Sequence, residues 1–375
     1  MSAPQNDLIP VNEPLLGGST ERYVRECVTS GWISSEGRFL SEFERRWAEF
    51  CGAEHGVAVS SGTAALEVAV HALGLQPGDE VILPTFTIVS CALAVLEAGA
   101  TPVLVDSDPR TWCLDVDQVR SKITPRTRAI MPVHMYGHPA EMTPLLEMAS
   151  KFGLDIVEDA AEAHGAEYRG RRVGALGRFG CFSFYANKII TTGEGGMVLC
   201  RSEADAERAR TLRNLCFRKE RRFWHTELGH NFRMTNLQAA VGLAQTEQVE
   251  EHLRRKRAMA AFYSDRLRGL PGVSLPVELP HVRNVFWMYG LVLDDSFPFD
   301  AVEAAKRLRE QGVETRPFFL GMHEQPALLE KGLFRGEAYP VAERLARRGF
   351  YIPSGLTLIE EQMSRVCDAV RRILQ

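Results

Sequence analysis

No stretch of this 375-residue chain reaches the roughly 18–20 apolar residues needed to span a bilayer. The opening MSAPQNDLIPVNEP lacks a basic segment followed by an apolar one, so it does not read as a secretory signal. Long basic runs are missing and the formal net charge is −4. Nucleic-acid binding through a broad electrostatic patch is therefore not expected. The eight cysteines include no CxxC pair and no regular spacing. They read as reduced core thiols of a cytoplasmic protein, not as a disulfide framework. The histidines form no HExxH cluster. His134 and His138 in HMYGH have helix-like spacing, but Gly137 and Pro139 argue for a loop, and no metal site is expected. No GxGxxG fingerprint and no P-loop GK[ST] occurs either. What remains is an ordinary globular composition, 45% hydrophobic and 25% charged, at a length that suggests two or three domains.

From about residue 56 to 200, short apolar runs alternate with helical patterns. GVAVS precedes SGTAALEVAVHALGL, EVILP precedes TIVSCALAVLEAG, and RAIMPV precedes TPLLEMASKFG. Asp115 and Gln118 suit a capping box; Thr143 reads as an N-cap with Pro144 at the first helical position and Gly153 past the end. This alternation predicts an α/β fold with a mostly parallel sheet and helices on both faces. FGCFSF and GMVLC then predict two strands joined by a loop or hairpin. Residues 235–269 carry one long helical pattern ending at GLPG. VFWMYGLVL reads as a strand, FDAVEAAKRLREQG as an amphipathic helix, and about 270–375 as a smaller α+β domain.

Three segments could carry chemistry. SSGTAAL (60–66) sets small and hydroxyl residues at a helix start directly after a strand. That is a plain N-cap or, through its exposed N–H groups and helix dipole, a seat for one phosphate, where Gly62 allows close approach and Thr63 can add a hydroxyl. LDIVEDAAEAHGA (154–166) ends an apolar strand in Glu158 and Asp159. Either acid could cap a helix or accept a protonated ring nitrogen at the ligand-bearing end of the sheet. CFSFYANKIITTGEGGMV (181–198) leads Lys188 through apolar residues into a run of small, flexible ones. A lysine there is an ordinary loop lysine or a desolvated amine nucleophile. Pyridoxal phosphate needs all three things: an anchor for phosphate, an acid for its ring nitrogen and a lysine for its aldehyde.

EDAAEAHGA, FSFYANK with TTGEGGMV, SSGTAAL and NFRMTNLQAA together resemble the DegT-type family of pyridoxal-phosphate-dependent sugar aminotransferases. The resemblance runs from GWISSEGRFLSEFE to the C-terminal part. WISSEG, TPVLVDSDPRT, ITPRTRAIMPVH and VFWMY look most like its GDP-perosamine synthases, which aminate GDP-4-keto-6-deoxymannose.

The resemblance implies a fold-type-I, aspartate-aminotransferase-like architecture. Residues 1–250, N-terminal segment 1–20 included, would form the large cofactor-binding α/β domain. Residues 251–375 would form a long linking helix and a small C-terminal α+β domain. Lys188 matches the lysine that bonds the cofactor and moves the proton, and Asp159 the acid that keeps the ring nitrogen protonated. Glu162 matches a position near the ring; Gly62, Thr63 and Ser183 match phosphate contacts. Asn231 in HNFRM matches an asparagine reaching the neighbouring subunit's phosphate, which implies a homodimer with a shared active site. His323 in GMHEQP matches a loop facing the nucleotide-sugar. Where many members stack an aromatic residue on the ring, this chain has Ile88. Some relatives carry histidine in place of the lysine and become dehydratases; retention of Lys188 favours transamination. The implied substrates are a nucleotide-sugar and L-glutamate, with no nucleic-acid or membrane partner. A dTDP- or UDP-linked keto sugar, or a regulatory protein without turnover, are the alternatives at this point.

Overall fold

The computed structural model describes residues 8–217, 221 and 223–374. Its first half builds a seven-stranded sheet and, in a short ribbon, two strands of a small three-stranded one. The strands in chain order are β1 (His55–Val59), β2 (Glu80–Pro84), β3 (Thr101–Val105), β4 (Thr127–Ile130) and β5 (Asp155–Asp159). A short ribbon, β6 (Glu167–Tyr168) and β7 (Arg171–Arg172), precedes β8 (Phe179–Ser183) and β9 (Gly196–Cys200). The seven-stranded order is β1-β9-β8-β5-β4-β2-β3. Pairings β2–β3, β2–β4, β4–β5 and β5–β8 are parallel, while β9 runs antiparallel to both β1 and β8. Near-continuous apolar runs such as EVILP are buried along their whole length, as strands covered on both faces require. The expected mostly parallel sheet is present, and β8 and β9 are antiparallel neighbours joined by the loop 184–195 that carries Lys188.

The helix Gly62–Ala72 starts directly after β1, capped by Ser61, whose hydroxyl accepts from Ala64 N–H. Three local expectations are corrected. Asp115 caps its helix, accepting from Asp117 and Gln118 N–H, but the Gln118 side chain turns away to accept from Asp106 N–H, so no capping box closes. The helix expected to start after Thr143 is Met142–Phe152, and Thr143 instead bonds the Tyr168 hydroxyl; Gly153 ends it in the left-handed conformation as expected. The long pattern over 235–269 is two helices, Asn236–Thr246 and Val249–Leu267. No glycine or proline marks the break. Tertiary contacts hold it: Tyr23 donates to Glu247, and Gln245 donates to the Leu15 carbonyl.

A second sheet has the antiparallel order β10 (Val273–Ser274), β12 (Tyr289–Leu293), β14 (Gly349–Ile352), β13 (Arg316–Pro317). Between β10 and β12, β11 (Val282–Arg283) pairs instead with β6 of the first half. Helices Val249–Leu267, Ala301–Glu310 and Glu360–Leu374 contribute Tyr263, Leu308 and Val370 to a separate core with Tyr289 and Phe350. Ile9 from the N-terminal segment joins this second core and bridges Val313.

After β11 the chain recrosses the first half at Val285–Met288. Val285 and Trp287 N–H groups donate to the carbonyls of Gly137 and Tyr136. Gly137 sits at φ +99°, and a Cβ there would lie 2.8 Å from Val285 Cγ2 and 2.9 Å from Trp287 N. Only glycine admits this crossing. Tyr136 and Phe286 flank it with φ of 50° and 49°, a conformation side chains of that size rarely adopt. The HMYGH loop and the VFWMY segment are thus pinned to each other.

Candidate active site

β5 ends in two carboxylates, and strand alternation sends them to opposite faces. Glu158 is buried beneath the loop after β7. It accepts from Gly174 N–H at 2.8 Å, from Leu176 and Gly177 N–H at 2.7 Å each, and pairs with His134 Nε2 at 3.1 Å. Those bonds saturate it and give it a fold-holding role. Asp159 turns the other way. Its Oδ1 accepts from Ala161 N–H at 3.0 Å and its Oδ2 from Cys91 Sγ at 3.1 Å. Both Asp159 and Cys91 are buried.

Glu162 follows in the turn after β5. Its Oε2 accepts from Tyr136 N–H at 2.8 Å, and its Oε1 lies 4.0 Å from Lys188 Nζ. Burial pushes the Glu162 carboxyl up to about 7, against the opposing pull of the Lys188 ammonium. Burial also lowers the Lys188 amine below its ordinary value, with Glu162 and Asp159 pulling the other way. The Lys188 side chain is 11% exposed. Apolar residues lead into this loop because they pack inward: Phe182 and Phe184 both contact Trp47 and His164. His164 accepts from Ile190 N–H and is pushed down to about 3 by burial, so it stays neutral. The TTGEGG run is fixed by its own hydroxyls: Thr191 donates to the Phe184 carbonyl and Thr192 to the Glu194 carbonyl.

The expected phosphate residues come together. A Cβ on Gly62 would sit 2.6 Å from Ser183 Cβ, so the start of helix Gly62–Ala72 abuts the end of β8 closely. Thr63 Oγ1 lies 2.9 Å from Ser90 Oγ, which ties this helix start to the segment bearing Ile88 and Cys91. Ile88 is half-exposed, and its carbonyl accepts from Cys91 N–H. Ser90, Cys91 and Ile88 therefore link the phosphate-type cradle to Asp159.

Two expected site residues have other contacts. Asn231 is exposed and forms an isolated bridge with Asn214. His323 is buried, with Nδ1 2.8 Å from Thr85 Oγ1 and Nε2 3.3 Å from Glu343 Oε1. A sugar contact by His323 would require exchanging these bonds.

Trp287 was not singled out from sequence, yet its ring centroid lies 3.7 Å from Lys188 Nζ. Tyr136 was also missed as a site residue. Its ring stacks with Trp287 (6.1 Å, 21°) and with Phe319 (5.8 Å, 5°). The available signal was the bulky residue before Gly137 and the aromatic pair in VFWMY; nothing in the spacing joined them. The ensemble is a buried amine beside an acid, a second acid held from two sides, and a helix N-terminus opened by glycine.

Residues 15–371 match the DegT/DnrJ/EryC1/StrS aminotransferase family. The chain is 44% identical over 370 residues to a GDP-perosamine synthase of Caulobacter vibrioides, covering 98% of each chain. It is 40% identical to a GDP-perosamine synthase of Escherichia coli O157:H7, covering 96% of this chain and 97% of that one. The solved structure of Streptomyces venezuelae DesV in complex with a ketimine intermediate superposes with a TM-score of 0.89 at 39% identity, covering 95% and 94% of the two chains. The architecture is accordingly that of the fold-type-I sugar aminotransferases. Fold, motif order and full-length similarity agree: the chain is an enzyme of the DegT/DnrJ/EryC1/StrS aminotransferase family.

Proposed function

We propose that the chain is a pyridoxal-phosphate-dependent aminotransferase that converts GDP-4-keto-6-deoxymannose to GDP-perosamine with glutamate as amino donor. The observation that carries the chemistry is the buried Lys188 amine beside Glu162, on the loop that follows the Asp159-paired strand β8. Identities of 44% and 40% to two GDP-perosamine synthases support the sugar and the base. Glutamate is supported by the family resemblance.

The residues present fit the cofactor. Gly62 leaves space at a helix start that a methyl group would block against Ser183, and the N–H groups there favour an anion. Asp159 is a buried carboxylate at the carboxyl end of β5, where ligands sit in such sheets. When bound, pyridoxal phosphate supplies an aldehyde carbon for an amine and a ring that withdraws electrons while its nitrogen is protonated. Asp159 would hold that proton at the ring nitrogen, and Gly62, Thr63 and Ser183 would hold the phosphate. Lys188 Nζ would hold the aldehyde end of the cofactor. Its amine would take a proton from the donor's Cα and deliver one to C4 of the sugar. Over a full turnover the donor's amino group would exchange with the oxygen at C4 of the sugar, so that glutamate leaves as the keto acid and the keto sugar as the amine with no net redox change. Burial lowers the Lys188 pKa, which makes the neutral, basic amine available nearer neutral pH.

The working unit in this reading is a homodimer in which Asn231 of each subunit reaches the phosphate held by the other. Exposure of Asn231 and of Trp32, Ile33, Trp224 and Leu228 supports it. All eight cysteines are buried and none is in a disulfide, which supports a reducing cytoplasm. Among the described residues no helix is long and apolar enough to cross a membrane.

A substrate panel tests the assignment. GDP-, dTDP- and UDP-linked keto sugars are offered to purified protein with glutamate. The GDP-linked sugar is expected to lead in kcat/KM by at least about tenfold. A lead by another nucleotide overturns the substrate and leaves the chemistry standing. Lys188→Ala should abolish turnover; turnover at the wild-type rate in that variant overturns both.

A further inference from the structure

We propose that Trp287, delivered from the second half of the chain, is the positioning residue of the Lys188 amine. The inference rests on the aminotransferase reading of Lys188. Four contacts fix the tryptophan. Its Nε1–H donates to the Asn187 carbonyl at 2.8 Å, the peptide unit next to the lysine. Its backbone N–H donates to the Tyr136 carbonyl at 3.0 Å. Its own carbonyl accepts from Lys256 Nζ at 2.8 Å, and that buried nitrogen also donates to the Ser354 carbonyl. Its ring packs along Tyr136.

One side chain therefore does two things to the same loop. The indole N–H fixes the backbone at Asn187, and the indole face covers Nζ of the next residue, 3.7 Å from the ring centroid. An aromatic face attracts an ammonium but offers no lone pair that would lock the nitrogen in one direction. An amine that must alternate between a bond to carbon and a free base gains from that combination. It is steered and kept from bulk water, yet not tethered. Glu162, 4.0 Å from Nζ, supplies charge from another side. The crossing at Gly137 makes the placement rigid, because Trp287 cannot withdraw without breaking the bonds at Tyr136 and Asn187.

Isosteric weakening of the ring tests this without disturbing packing. The full chain is prepared with tetrafluorotryptophan at position 287 and freed of bound cofactor. It is then exposed to pyridoxal phosphate across a pH series, and the adduct at Lys188 is trapped with borohydride and quantified by peptide mass. Fluorination weakens attraction for the cation and favours the neutral amine. The pH midpoint of trapping should fall by about half to one unit. A midpoint moved by less than about 0.2 unit overturns the proposal. In Trp287→Phe the face remains and the indole N–H is gone. Amide exchange across residues 187–190 should then quicken by about tenfold while the midpoint stays near its wild-type value. Unchanged exchange overturns the backbone part. Failure to trap any adduct at Lys188 in the unmodified chain sinks the aminotransferase reading itself, which separates the two failures.

Discussion

Cys91 donates its thiol hydrogen to Asp159 Oδ2 across 3.1 Å, and both residues are buried. The carboxylate assigned to the cofactor's ring nitrogen is thus oriented by a neighbour on a different element, the helix Ser90–Glu97. Cys91→Ala removes that donor and leaves Ala161 N–H as the remaining bond. The expected result is a kcat lowered by about three- to tenfold and a stability loss of about 1–2 kcal/mol in urea unfolding. Cys91→Ser should restore most of both. An alanine variant with wild-type kcat would show that Asp159 needs no such support.

Glu158, the adjacent residue, should behave in the opposite manner. It answers three backbone N–H groups and His134. Glu158→Ala strands them in the interior and should cost at least about 3 kcal/mol of folding free energy. Borohydride trapping at Lys188 in whatever fraction folds should still succeed. Wild-type stability in this variant contradicts a fold-holding role for Glu158.

The Glu162–Lys188 pair makes stability depend on pH in two windows. Burial raises the Glu162 carboxyl from 4.5 to about 7, so between those values the folded chain holds a proton that the unfolded chain has released. That contribution is full below about pH 4.5 and is lost as pH rises toward 7. Lys188 is shifted the other way, so its own contribution grows as pH rises from its lowered value to 10.5. Glu162→Gln should flatten the fall in unfolding free energy between pH 4.5 and 7, by about 2–3 kcal/mol across the window. Urea unfolding at closely spaced pH values measures it, and an unaltered slope counts against Glu162 as the group responsible.

Gly62→Ala puts a methyl carbon 2.6 Å from Ser183 Cβ. Either the helix start or β8 must move, and both are assigned to the phosphate. Pyridoxal phosphate affinity, followed by fluorescence titration, should fall by at least about tenfold, with a smaller loss for Thr63→Ala. Unchanged affinity in Gly62→Ala would remove the helix start from the site.

The legible parts of this molecule were those whose cause is local. Strand–helix alternation, the hairpin-like join of β8 and β9, and the candidates Gly62, Asp159 and Lys188 each rest on a short stretch of chain. The missed parts need distant segments to meet. The Trp287–Asn187 bond spans 100 positions and the Cys91–Asp159 bond 68, and no period or motif marks either. Thr143 gave a good N-cap signal that lost to a hydrogen bond with Tyr168. The long pattern after Thr235 broke at Glu247–Gln248, residues that favour helix, because contacts from Leu15 and Tyr23 pull there. Strand position alone did not rank Glu158 and Asp159, since the choice depends on which face of the sheet each one meets; only the family resemblance singled out Asp159.

That pair carries a consequence for folding fidelity. A one-residue slip of β5 that sets Glu158 in the place of Asp159 sets Val157 in the place of Glu158. The loop at Gly174–Gly177 would then lose the acceptor for three of its N–H groups, and Cys91 would face the longer of the two side chains. A misaligned copy would therefore not survive as a well-folded but inert protein. Adjacent placement of the two acids works as proofreading: the strand alignment that satisfies the loop is the alignment that brings Asp159 to Cys91.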